Sequence, residues 1–141
     1  MTVGTAFALG DRVYLSGPIS SNVISPDVVD NLSVFHEVYG NFIKEYGVSV
    51  SIFNPATLNQ QLDYDEMMRR CFATLSCYSH ILMLPNWQHS KGACIELLIA
   101  CQMKIKPRFL LMDRDTVVKE LLDNTALKRT MCDTISEAIT I

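Results

Sequence analysis

One short run, Ser90-Lys91-Gly92-Ala93-Cys94-Ile95-Glu96, brings together a hydroxyl, two small residues and a carboxylate. It follows the apolar run Ile81-Leu82-Met83-Leu84-Pro85, and the change of pattern predicts a strand leading into a helix. The first N–H groups of a helix have no partner within it and point outward, which favours an anion there. Glu96 follows Gly92 and Ala93 at helical spacing, so on a helix all three share a face. The small residues leave space beside the carboxylate. Such an arrangement can hold a phosphate at one end of a small ligand and present a nucleophile at the other. The competing reading is a Ser90 N-cap followed by an ordinary solvated glutamate.

The elements around this run must decide between the two. Arg12-Val13-Tyr14-Leu15-Ser16 reads as a strand ended by Gly17-Pro18. Ser25-Pro26-Asp27 has the form of a helix start, and Val28, Leu32, Phe35, Tyr39, Phe42 and Tyr46 recur at helical spacing up to a stop at Gly47. Val48 to Phe53 alternates as a second strand, broken by Asn54-Pro55. Asp63-Tyr64-Asp65-Glu66 resembles a capping box, and Met68, Cys71, Phe72 and Leu75 form one helical stripe. Ile81 to Leu84 is continuously apolar, as in the middle of a parallel sheet. Arg108 to Met112 is a fourth strand, and helical segments at Arg114 to Leu122 and Ala126 to Ala138 finish the chain. Strand and helix alternate, which predicts an α/β fold: a flavodoxin-like, Rossmann-like three-layer sandwich with a parallel sheet of four or five strands, in one domain spanning residues 1–141. Ligands of such sheets bind beyond the carboxyl ends of the strands. The loops after Leu15, Phe53, Leu84 and Met112 should therefore carry the chemistry, and Ser16-Gly17-Pro18, Asn54-Pro55 and the segment from Asn86 to Gly92 fall there.

Composition narrows the ligand. Of 141 residues, 49% are hydrophobic and 19% charged, which suits a packed core, and the net charge of −3 comes with no basic block. Nucleic-acid binding is not expected. No apolar run reaches membrane-spanning length, so no membrane partner is expected, and the N-terminus lacks the pattern of a secretory signal. The cysteines Cys71, Cys77, Cys94, Cys101 and Cys132 show no tight pairing, which points to free thiols in the cytoplasm. His36, His80 and His89 have no ligand spacing with them, so no metal is expected. Ser16-Gly17-Pro18 lacks the later glycines of a dinucleotide fingerprint, and no Walker lysine is present.

Val13-Tyr14-Leu15-Ser16-Gly17-Pro18, then Asn54-Pro55-Ala56, then Leu84-Pro85-Asn86-Trp87 leading into Ser90-Lys91-Gly92-Ala93 and Glu96 together resemble the nucleoside 2-deoxyribosyltransferase-like superfamily. The similarity runs from about Arg12 to Met112 and is closest to a small phage and bacterial branch of unassigned function. The resemblance implies cleavage of an N-glycosidic bond, with Glu96 attacking the anomeric carbon and Tyr14 beside it. A serine at the position of Ser90 resembles the nucleoside 5′-monophosphate N-hydrolases, in which it contacts phosphate; a hydroxyl can donate to phosphate, whereas an aspartate would repel it. The branch usually carries Arg-Arg-Asp in its second helix, the aspartate assisting the leaving base. This chain has Arg69-Arg70-Cys71, and a thiol is a poor substitute. Asp63 and Asp65 lie near in sequence, in a cap-like context.

The expectation is hydrolysis of a (deoxy)ribonucleoside 5′-monophosphate through a glycosyl-enzyme on Glu96. The alternatives are a non-catalytic nucleotide-binding module on the same fold, and a transferase with a base as acceptor. Glu96 and Tyr14 are the expected catalytic residues, and Ser16, Gly17, Pro18, Asn54, Trp87, Ser90 and Gly92 the expected substrate contacts. For Trp87 the alternatives are stacking on a base and covering the sheet edge, and for Asn54 a ligand contact and a turn. His89 lies beside the anion position, and Arg69 and Arg70 belong to a phosphate, to a neighbouring subunit or to a solvated helix face. No cofactor is expected. The resemblance also implies a homodimer or higher homo-oligomer.

Overall fold

The computed structural model describes residues 7–18, 27–57, 63–123 and 129. Four strands, β1 (Arg12–Ser16), β2 (Ser51–Phe53), β3 (His80–Met83) and β4 (Lys106–Phe109), form one sheet in the order β2-β1-β3-β4. Every pairing is parallel: Tyr14 lies opposite Phe53 on one side and Ile81 on the other, and Leu82 lies opposite Arg108. Four α-helices are described: α1 (Asp27–Tyr46), α2 (Tyr64–Leu75), α3 (Lys91–Gln102) and α4 (Arg114–Asp123).

Strand alternation divides the core into two. Val13, Leu15, Leu82 and Leu84 point to one face and pack with Phe35, Val38 and Phe42 of α1. Tyr14, Ile81 and Met83 point to the other and pack with Cys71 and Leu75 of α2 and with Ala93, Cys94, Leu97 and Ala100 of α3. This is the expected α/β arrangement, a flavodoxin-like three-layer sandwich, with four strands. All four residues of β3 are buried, Ile81 to Met83 completely, which explains the unbroken apolar run that starts at Ile81.

Three boundaries differ from the sequence reading. β2 begins at Ser51, not Val48. Gly47 adopts φ +59° and ends α1 with an N–H bond to the Ile43 carbonyl, and Ser49 N–H returns to Tyr46, so the chain is still turning where the alternation begins, with Val48 exposed. β3 begins one residue early, at His80. β4 covers Lys106–Phe109 instead of Arg108 to Met112. A left-handed Lys104 and the bond from Ile105 N–H to the Ala100 carbonyl turn the chain tightly out of α3, and a left-handed Leu111 ends the strand. Pro107 obscured this strand because proline cannot donate to a ladder. Lys106 and Leu110 give their N–H groups to the carbonyls of Ser79, just before β3, and Met83, so the nitrogen of Pro107 faces the open edge, where no donor is needed. α2 and α4 run as expected, while the Ser25-Pro26 helix start and, apart from position 129, the Ala126 to Ala138 segment lie outside the described residues.

Candidate functional site

Tyr14 and Ser16 alternate with Leu15 on β1, so both project to the α3 side of the sheet. α3 passes over them, and its buried second turn presents Glu96, which is 6% exposed. The Tyr14 hydroxyl donates to Glu96 Oε2, and Ser16 Oγ donates to Oε1 at 2.9 Å. Both carboxylate oxygens are thus held by hydroxyls of one strand. Burial pushes the Glu96 carboxyl up to about 7, although the bonds from Tyr14 and Ser16 favour its charged form and pull the other way. Tyr14, 0% exposed, has its hydroxyl pushed far above its ordinary value by burial and by the neighbouring Glu96 charge.

Cys71 of α2 is the next member. Its thiol interacts with the Tyr14 hydroxyl and feels the Glu96 charge, and burial pushes it up to about 11. Cys71 therefore stands beside the Tyr14–Glu96 pair. Arg69 and Arg70, by contrast, lie on the exposed side of α2, paired with Glu66 at 3.7 and 3.1 Å. Asp63 caps α2 by accepting from Glu66 N–H at 2.8 Å, and Asp65 is exposed in its first turn.

Ser90 is the N-cap of α3. Its Oγ accepts from Ala93 N–H at 3.2 Å, and its carbonyl accepts from Cys94 N–H. Gly92 occupies the first turn, one helical turn before Glu96. The strand order reverses between β1 and β3, and at their carboxyl ends lies a crevice lined by Pro18, Val34, Phe35, Leu84, Pro85 and Asn86. Gly17 lies beneath it: a Cβ there would meet Leu84 Cβ at 3.0 Å and the Phe35 ring at 3.5 Å.

Asn54 and Trp87, the remaining expected contacts, are both buried. Asn54 is 3% exposed; its Oδ1 accepts from Ala56 N–H at 3.0 Å and its carbonyl accepts from Thr57, which holds a tight 3₁₀ turn, Pro55–Thr57. Trp87 is 1% exposed and packs on Phe109 at 5.3 Å between ring centres, so its ring belongs to the core. His89 is exposed in the turn before Ser90.

Ser16, expected as a substrate contact, bonds Glu96 in the structure; the period of β1 carried that signal, since residues two apart share a face. The loop from Asn86 was expected at the site, whereas Val34 and Phe35 of the crevice were passed over. Asn86 had a signal in its residue type, because asparagine tolerates the left-handed conformation, φ +70°, that it adopts here.

No helix among the described residues is long and apolar enough to cross a membrane. No curated protein matches the chain. Residues 11–107, which hold the four strands up to Pro107 together with Tyr14, Ser16, Cys71, Ser90 and Glu96, match a family described as a domain of unknown function, and the chain therefore belongs to the DUF4406 family.

Proposed function

We propose that the protein hydrolyses the N-glycosidic bond of a (deoxy)ribonucleoside 5′-monophosphate, with Glu96 as the nucleophile. The observation that carries this reading is the buried Glu96 carboxyl, fixed by the Tyr14 and Ser16 hydroxyls at the end of the sheet where ligands of such folds bind. A carboxylate so held attacks the anomeric carbon and forms a glycosyl ester that water then resolves. Attack requires the ionised form, so with the carboxyl near 7 the reaction accelerates as pH rises through neutrality.

The α3 N-terminus suits the phosphate. Ser90 uses a lone pair on Ala93 N–H and keeps its hydroxyl hydrogen, and the helix start favours negative charge. Gly92 and Glu96 are separated by about 6 Å along the helix axis, the order of the span of a sugar ring, so phosphate and nucleophile act at opposite ends of one sugar. A base in place of water as acceptor turns the same site into a transferase. The free thiols among the described residues, Cys71, Cys77, Cys94 and Cys101, support a reducing, cytoplasmic setting.

A second reading has its own observation. Glu96 is 6% exposed with both oxygens engaged, and no carboxylate occupies position 71; a nucleotide-binding module without turnover fits these facts. Incubation with a panel of nucleoside monophosphates, with free base measured by chromatography, separates the two. Base release that vanishes in Glu96→Gln supports the glycosidase; nucleotide binding without base release supports the module.

A further inference from the structure

Breaking the bond between the anomeric carbon and a base sends the bonding pair to the base nitrogen. A neutral base then needs a proton, and a positioned acid that supplies it is typically worth about 10²–10⁴-fold. None of the described groups that interact with Glu96 is a carboxyl or an imidazole. The groups that act on its carboxyl are the hydroxyls of Tyr14 and Ser16, and both already donate to it. The third neighbour, Cys71, is pushed up to about 11, and Tyr14 lies higher still, so neither releases a proton readily. The acids of α2 stand in its first turn, Glu66 paired with Arg70 and Asp65 exposed. Toward β2 the cluster is aromatic: the Tyr14 ring stacks on the half-buried Phe53 at 5.4 Å with 29° between planes.

Resting on the glycosidase reading, we infer that the site takes nucleotides whose leaving group is a cationic nitrogen heterocycle, a pyridinium or an N-alkylated purinium, because the side chains tied to the Glu96 nucleophile are Tyr14, Ser16 and Cys71, with the Tyr14–Phe53 ring pair behind them and no second carboxyl among them. The step balances without a proton donor. A Glu96 oxygen bonds to the anomeric carbon, the carbon–nitrogen bond breaks, and its electron pair neutralises the positive ring, which leaves as a neutral base. Water then attacks the same carbon, the glycosyl ester breaks, its electron pair returns to Glu96, and the proton of water passes to solvent.

The test uses a matched pair, guanosine 5′-monophosphate and 7-methylguanosine 5′-monophosphate, which differ by one methyl group and one positive charge. Nicotinamide mononucleotide is the pyridinium probe, and Glu96→Gln is the blank for spontaneous loss of base. The expected result is Glu96-dependent release of 7-methylguanine at least about 100-fold faster than guanine, the scale of a missing acid. Release of nicotinamide is expected to rise with pH through about 7 and stay high. A ratio under about 10, or a fall at alkaline pH with nicotinamide mononucleotide, overturns the inference and leaves the glycosidase reading standing. No Glu96-dependent base from any of the three, nor from a wider panel of neutral-base nucleotides, removes both.

Discussion

Glu96 is a carboxyl held by two hydroxyls in a place that disfavours its charge. That conflict has a thermodynamic consequence. Its folded pKa of about 7 exceeds the ordinary value of 4.5, so between those values the folded protein keeps a proton that the unfolded chain has lost. The associated stability is complete below the lower value, declines as pH rises, and is gone above about 7. Glu96→Gln keeps the shape and removes the titration. It should therefore match the wild type in thermal unfolding at pH 4 and exceed it at pH 8, by a few kcal/mol; equal midpoints at pH 8 would show a carboxyl that ionises freely. Tyr14→Phe acts in the opposite sense on the charge. It deletes a donor to the carboxylate, so the pH at half-maximal base release should move up by about 1–2 units, the worth of a hydrogen bond to a charged group. An unmoved midpoint would detach Tyr14 from Glu96. Cys71→Asp supplies an acid beside Tyr14 and should raise turnover of neutral-base nucleotides by about tenfold or more; a folded variant that gains nothing would place the leaving base elsewhere.

The elements position these groups through two close approaches. β1 must run under α3 for Tyr14 and Ser16 to reach Glu96, and the chain must leave β1 past Leu84 and Phe35 without a side chain at Gly17. Gly17→Ala places a methyl group at 3.0 Å from Leu84 Cβ, and such overpacking costs roughly 1–3 kcal/mol. Urea unfolding of this variant should show that loss, and an unchanged midpoint would mean that the β3 end yields. Ser90 has two roles at the start of α3. Ser90→Asp preserves the cap on Ala93 N–H but adds a like charge, so it should keep helix stability while weakening nucleoside monophosphate binding by calorimetry. Ser90→Gly should weaken binding far less. Equal affinities would put the phosphate elsewhere.

At this scale the sequence was most readable where a single period dominates. α1 and α2 follow from helical spacing, β3 from its unbroken apolar run, β1 from the Gly17-Pro18 stop, and Ser90 with Glu96 from the cap and the turn after it. β2 and β4 shifted because their limits depend on left-handed residues, Gly47, Lys104 and Leu111, and on which edge of a ladder Pro107 faces. Neither is visible before the pairing is known. The burial of Asn54 and Trp87 was hidden for a similar reason: turn chemistry and loop aromatics look alike whether they face a ligand or a core.

For the whole molecule, the parallel order β2-β1-β3-β4 brings the ends of β1 and β3 together, so residues far apart in sequence meet at Glu96. The outer surface also carries apolar groups, with Leu98, Met103, Leu111, Val118, Leu121 and Leu122 all exposed. A homodimer or higher oligomer would cover such surface, and light scattering at micromolar protein should give at least twice the 15.9 kDa chain mass; a monomer mass would contradict it. The central claim, however, concerns one bond. If Glu96 is the nucleophile, acid quenching during turnover of a nucleoside monophosphate should trap a sugar phosphate on the protein, and peptide mass spectrometry should place it on Glu96 in the wild type and nowhere in Glu96→Gln. Base release with the adduct on another residue, or release that persists unchanged in Glu96→Gln, would contradict the account.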